Sequence, residues 1–236
     1  MNIGDVVEFG RYKQFSHLPD SPLEWIILDI KDDQFLLLTK NIITGMDYHG
    51  VYEETTWANC DLRKWCNNDF YYTAFSAEER NSIVLTHNDN RDLHNVEMIK
   101  WEVNHVLPNV NYRTFIPCNY ESFDTLDKIF MLSVDEATRY KTILTMYPAI
   151  PTQYASKAGV STKRYHYIVS EIMQEDGIDY CERWWLRTRG KEGNRAAHIA
   201  DDGSINESGF PVFFCKDTSN SVGIRPAMWV QHKFFD

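Results

Sequence analysis

The sequence predicts an α+β fold, β-rich at both ends with short helices between. Three observations carry this. Apolar and β-branched runs occupy the N-terminal forty residues. Similar runs return after Trp184. Between them, two Ser-x-x-Glu signatures and a stretch of helical spacing mark helix starts.

The elements follow in order. Val6–Phe9 and Glu24–Ile30 read as strands, and Gln34–Thr39 as a third. The polar Lys31-Asp32-Asp33 turn joins the last two into an antiparallel hairpin, and Pro19 and Pro22 confine the preceding segment to a loop. Leu62, Trp65, Cys66 and Phe70 stand at helical spacing over Asn59–Phe70, with Lys64, Asn67 and Asn68 pointing outward. Ser76-Ala77-Glu78-Glu79 is a capping box opening a helix to about Val84. Residues 87–124 show no clear period; we expect a long excursion with one short helix at Asn95–Val106.

Asp127–Leu132 reads as a strand running into a second capping box at Ser133–Glu136, whose helix reaches about Tyr140. Pro151–Ala155 starts another short helix, with Gly159 as its stop. From Tyr165 the pattern is β again: Trp184–Thr188, Arg195–Ala200, Ser204–Asn206, Phe210–Cys215 and Ala227–Gln231. Asp201-Asp202-Gly203 is the turn of a hairpin. With no repeat or Gly/Ser linker, one closed domain over 1–236 is expected, the N-terminal hairpin region 1–45 packed onto it and the sheet pairing its own termini.

Composition narrows the function classes. Hydrophobic residues are 43% of the chain and aromatics 14%, enough for a core built on large rings. The net charge of -10 disfavours nucleic acid and anionic membranes as partners. The apolar runs Trp25–Leu28 and Phe35–Leu38 are too short to span a bilayer. Cys60, Cys66, Cys118, Cys181 and Cys215 make an odd set without a CxxC, so reduced thiols are expected. Met1–Asp5 lacks a basic, then apolar, leader. The expected location is the cytoplasm, with secretion left open.

Seven ordered blocks carry a family likeness: Gly4–Gly10, Glu24–Leu28, Trp57–Phe70, Ala74-Phe75-Ser76, Asp127–Ser133, Trp184-Trp185-Leu186-Arg187 and Gly223-Ile224-Arg225-Pro226-Ala227. The chain resembles a large uncharacterised bacterial family, common in gut Firmicutes and known only as a domain of unknown function. Thr188 stands where members usually carry Ser. The C-terminal blocks are in turn similar to C-type-lectin-like folds, which include the formylglycine-generating enzymes and the variable proteins of diversity-generating retroelements. That similarity implies a mixed fold with a twisted antiparallel sheet, short helices and long ligand-hosting loops; it does not imply sugar binding. Formylglycine-generating enzymes need a C-terminal pair of active-site cysteines. Cys181 and Cys215 occupy no matching motif, so that activity is not carried over.

Each candidate site has a structural alternative. Strand alternation puts Trp184 and Leu186 on one face, Trp185 and Arg187 on the other. They are either core plus a loop-fixing Arg, or an aromatic and a guanidinium facing a ligand. Arg225, framed by Gly223 and Pro226, is expected to be a buried ion-pair partner of Asp201, Asp202 or Glu182, or a ligand contact. Arg183, Arg187, Arg189, Lys191 and Arg195 form a basic cluster opposed locally by Glu192, in a loop carrying Gly190 and Gly193. That cluster is suited to a carboxylate or phosphate, or is simply a solvated loop.

Other chemistry is weakly supported. Asp201–Glu207 lacks EF-hand spacing and reads as a turn, and His94 and His105 do not complete a zinc motif. Cys60 and Cys66, six apart on one helix, should face apart. No nucleophile elbow, P-loop or dinucleotide fingerprint occurs. We therefore expect no cofactor and no metal. The first reading is a non-enzymatic module binding an anionic or polar small ligand, or a protein partner, through Trp185, Arg187, Arg189, Arg195 and Arg225. The alternatives are an enzyme of unidentified type using the same C-terminal cleft, and a structural or oligomerisation domain.

Overall fold

The computed structural model describes residues 1–90, 124–160, 182–213 and 221–235. The expected helix at Asn95–Val106, the return to β at Tyr165, and Cys118, Cys181 and Cys215 lie outside the described residues. Within them the fold is mixed α+β.

Strands β1 (Val6–Tyr12), β2 (Ser21–Lys31) and β3 (Gln34–Thr39) form an antiparallel meander. The β2–β3 turn is two residues long, and Asp32 and Asp33 both adopt left-handed φ of 49° and 57°. A turn with positive φ at both positions matches the right-handed twist of the flanking strands. The last strand, β11 (Ala227–Gln231), pairs antiparallel with β3 and completes a four-stranded sheet, so the two ends of the chain share one sheet as expected. Pro22 sits inside β2 opposite Arg11, not in the preceding loop; β3 pairs with β2 only from Trp25 onward, so Pro22, at the start of the strand, faces no β3 partner. Gly10, at the irregularity in β1, has φ of +69°, and a Cβ there would sit 2.6 Å from the Phe75 ring.

The second sheet has the order β4-β10-β7-β8-β9. These strands are β4 (Thr44–Gly45), β7 (Trp184–Arg189), β8 (Arg195–Ile199), β9 (Ile205–Pro211) and β10 (Gly223–Ile224). β10 pairs parallel with β7, and the other pairs are antiparallel. β9 spans the strand expected at Ser204–Asn206 and only Phe210-Pro211 of the one expected at Phe210–Cys215, whose last two residues lie outside the described residues. β3 belongs to the first sheet and β4 to the second, so residues 1–45 contribute to both sheets.

The helical region begins at α1 (Asp61–Trp65), passes through a π turn (Cys66–Phe70) and ends in α2 (Tyr71–Ala74). Leu62, Cys66, Phe70 and Ala74 are all buried at a spacing of four. In a pure α-helix such a series drifts by about 40° per step. The wider π turn holds them on one face. Cys60 caps this helix from outside it, and both thiols are buried in the core. Burial pushes the Cys60 thiol up to about 12 and the Cys66 thiol well above its usual value, so both are inert core thiols.

Asn67 also departs from its expected outward orientation. Its Oδ1 accepts from the backbone of Lys128 and Ile129, and its Nδ2 donates to the Ile129 carbonyl at 2.8 Å. This clamp takes the backbone groups a strand would have used. The strand expected over Asp127–Leu132 is accordingly displaced to β6 (Thr125–Asp127), paired with β5 (Thr86–Asn88); only Phe130 bridges onward, to Ala227.

Helices α3 (Ala77–Ser82) and α4 (Val134–Arg139) start at the capping boxes of Ser76 and Ser133, both complete. α5 (Lys141–Met146) follows α4, and α6 (Gln153–Lys157) starts at Thr152 and stops before Gly159, whose φ is +94°. Trp25, Trp57, Trp184 and Trp185 anchor the core. Three of their indoles donate inward: Trp25 to the Phe9 carbonyl, Trp57 to Asp127 and Trp185 to the Met46 carbonyl. No described helix is long and apolar enough to cross a membrane.

Candidate ligand cleft

The register of the second sheet sorts side chains into two rows. Trp184, Ile199 and Ile205 line up across β7, β8 and β9 on one face. Trp185, His198 and Asn206 line up on the other. The first row floors a cleft of about 260 Å³. Lys141, Leu144 and Thr145 of α5, Pro148 and Ala149 after it, and the Asp202-Gly203-Ser204 turn also line it. Arg225 closes the bottom, its guanidinium 5.1 Å from the centre of the Trp184 ring. The lining is mostly apolar with a few polar groups, the usual composition of a small-molecule site.

Arg225 is 1% exposed and donates to the carbonyls of Thr39, Lys40 and Tyr147. It therefore ties β3 and the end of α5 to the cleft floor. Of its expected partners, Asp201 instead lies 3.8 Å from Arg183, and Asp202 accepts the Ser204 amide at 2.8 Å. That amide and the Ser204 hydroxyl hold the Asp202 carboxyl below its ordinary value.

The five sequence-derived ligand residues do not converge. Arg225 lines the cleft. Trp185 is fully buried on the opposite sheet face, against Tyr48, His198 and Phe210. Arg187 does not share its surroundings, because the β7–β8 register breaks between Trp185 and Arg189. Arg187 donates instead to Asn90, to the Met131 carbonyl and to both oxygens of Glu136. Arg189 reaches Glu54 at 3.6 Å, and Arg195 pairs with Glu192 at 3.2 Å while donating to the Gly209 carbonyl.

The basic cluster is thus distributed over several partners. Its loop is pinned by Gly190 to Arg195, Lys191 to Ser208 and Thr55 to Gly193 backbone bonds. A Cβ on Gly193 would lie 2.3 Å from the Arg189 guanidinium and 2.6 Å from Glu54, so this glycine provides close packing.

Sequence reasoning missed Lys141, Leu144 and Ile205. The signal for Ile205 was present: the Asp201–Gly203 hairpin, once placed, sets Ile205 opposite Ile199. Nothing local distinguishes Lys141 from any exposed lysine on a short helix.

Two buried titratable groups lie just outside the cleft. Burial pushes Glu182 up to about 7, partly offset by Arg183. Burial pushes His198 down to about 4, and its Nδ1 has no hydrogen-bond partner among the described residues. Their effects on stability have opposite signs. Between pH 4.5 and 7 the folded state holds a proton at Glu182 that the unfolded chain has released. That contribution, complete below pH 4.5, is lost as pH rises through 7, a change of about 3 kcal/mol. His198 contributes fully above pH 6.5 and loses its contribution as pH falls through 4. The two slopes oppose each other from pH 4.5 to 6.5. In thermal melts across this range, the wild-type advantage over Glu182→Gln is expected to shrink from pH 4.5 to 7; a pH-independent difference contradicts the assignment.

These features define a mixed α+β protein with a mostly apolar cleft that also contains a buried guanidinium. The DUF6273 domain of unknown function matches residues 32–232, and the chain belongs to that family. No curated protein and no solved structure matches it.

Proposed function

We propose that this protein is a non-enzymatic small-molecule-binding module on a C-type-lectin-like fold, and that its ligand sits in the cleft between α5 and the Trp184–Ile199–Ile205 row. The cleft carries this reading: it combines a volume of about 260 Å³, an apolar floor and a guanidinium built into its base. An engineered apolar cavity of about 150 Å³ admits benzene, so this space suits a one- or two-ring body. Reduced Cys60 and Cys66 fit a cytoplasmic setting.

A panel of small aromatic and aliphatic compounds, followed by ligand-observed NMR, tests this. At least one is expected to bind saturably. Ile205→Trp fills the cleft and should abolish that binding while the protein still unfolds in one cooperative melt. Loss of binding in Arg189→Ala/Arg195→Ala, with retention in Ile205→Trp, would move the site to the 189–195 loop instead.

A second reading, an enzyme of unidentified type, is favoured by one observation. A carboxyl near 7, as at Glu182, is matched to proton transfer at neutral pH. Glu182 does not line the cleft, which supports the binding reading over this one.

A further inference from the structure

The ionised groups of the cleft differ in how far they are already engaged. Asp202, the one carboxylate in its lining, is turned into the hairpin, where the Ser204 amide and hydroxyl hold it. Arg225 is committed to three backbone carbonyls and to the Trp184 face. Lys141 is different. It is exposed at the start of α5, lines the cleft, and forms no ion pair among the described residues. The cationic groups outnumber the acidic one, and the acidic one faces its own turn.

The rest of the lining is largely apolar: Leu144 of α5 together with the Trp184, Ile199 and Ile205 row of the sheet. Such an arrangement accepts a flat body more readily than a branched polar one such as a sugar. Each hydroxyl of a sugar would need a partner that these apolar walls do not supply.

We propose that the ligand is a small organic monoanion, a carboxylate on a flat apolar body, with Lys141 as the group that selects its charge. This rests on the cleft reading given above. Charge selection by one exposed cation is modest, because water screens it. The ring supplies the larger share of affinity, and the lysine decides between otherwise similar ligands.

Three probes on one indole scaffold separate these contributions: indole-3-acetate, its neutral isostere indole-3-acetamide and cationic tryptamine. They are titrated calorimetrically into the full chain and into Lys141→Ala and Lys141→Glu, at low and high salt. Indole-3-acetate should bind wild type more tightly than the amide by roughly fivefold, and tryptamine should bind most weakly. The preference should vanish in Lys141→Ala, invert in Lys141→Glu and shrink with salt. Melts of both variants should match wild type, because Lys141 is exposed.

Equal affinity for acetate and amide overturns the charge proposal and leaves the cleft reading standing. A preference that survives Lys141→Glu overturns the role of Lys141. Binding by none of the three overturns the proposal, and failure of the broader panel as well overturns the cleft reading.

Discussion

Asp127→Ala should be among the most destabilising single substitutions in this protein. The carboxylate is fully buried and accepts from five side chains. Arg63 and Asn67 bond Oδ1, at 2.6 and 3.4 Å. Trp57, Asn88 and Thr125 bond Oδ2, at 2.9, 2.8 and 2.6 Å. Through these partners Asp127 joins α1, the π turn, β5 and β6. Removing it leaves a cation and several buried donors unmatched, a defect that costs about 3–5 kcal/mol. In a chain of this size that lowers Tm by about 10 °C. Asp127→Asn keeps the volume and removes the charge, and it places an amide donor among donors. It should recover little of the loss. Recovery to near wild type would show that shape, not charge, holds this junction.

Arg187→Met is the second large effect. Arg187 is 5% exposed and grips Glu136 with two nitrogens, at 3.0 Å for Nη2. Glu136 is also the third residue of α4 and accepts the Ser133 amide at 2.8 Å. One carboxylate thus completes the helix cap and fastens the helix to β7. Methionine fills the space of the arginine stem but leaves Glu136 without its cation. The expected loss is about 3 kcal/mol in a denaturant melt. Glu136→Gln in that background should restore part of it, because the stranded charge is gone while an oxygen remains for the cap. A fully additive double variant would mean that the two residues are not coupled.

What was legible in the sequence was local. The capping boxes at Ser76 and Ser133 could be read because donor and acceptor lie three residues apart. The Asp32-Asp33 turn and the Gly159 helix stop are likewise set by backbone angles that few residues adopt. Asn67, Asp127 and Glu136 were not legible as junctions. Their partners lie tens of residues away, as with Arg63 and Asp127 or Glu136 and Arg187. The partners of the basic stretch were hidden for the same reason: Glu54, Glu136 and Asp201 engage it from elsewhere in the fold. The π turn was hidden because spacing alone does not distinguish a widened turn from a drifting α-helix.

The cleft occupies an intermediate position. Trp184 and Arg225 belong to two of the sequence blocks that stood out, and both line it. Their neighbours in those blocks turn elsewhere: Trp185 into the opposite face and Arg187 toward Glu136. Alternation along β7 distinguishes Trp184 from Trp185, but only the pairing of β7 with β8 and β9 shows which face is open.

A crystal structure of the protein grown with saturating indole-3-acetate tests the central claim most directly. The account predicts the indole ring between Leu144 and Ile205, above Trp184, with its carboxylate toward Lys141. A cleft that stays empty while the compound binds along the 189–195 loop, or nowhere on the protein, contradicts it.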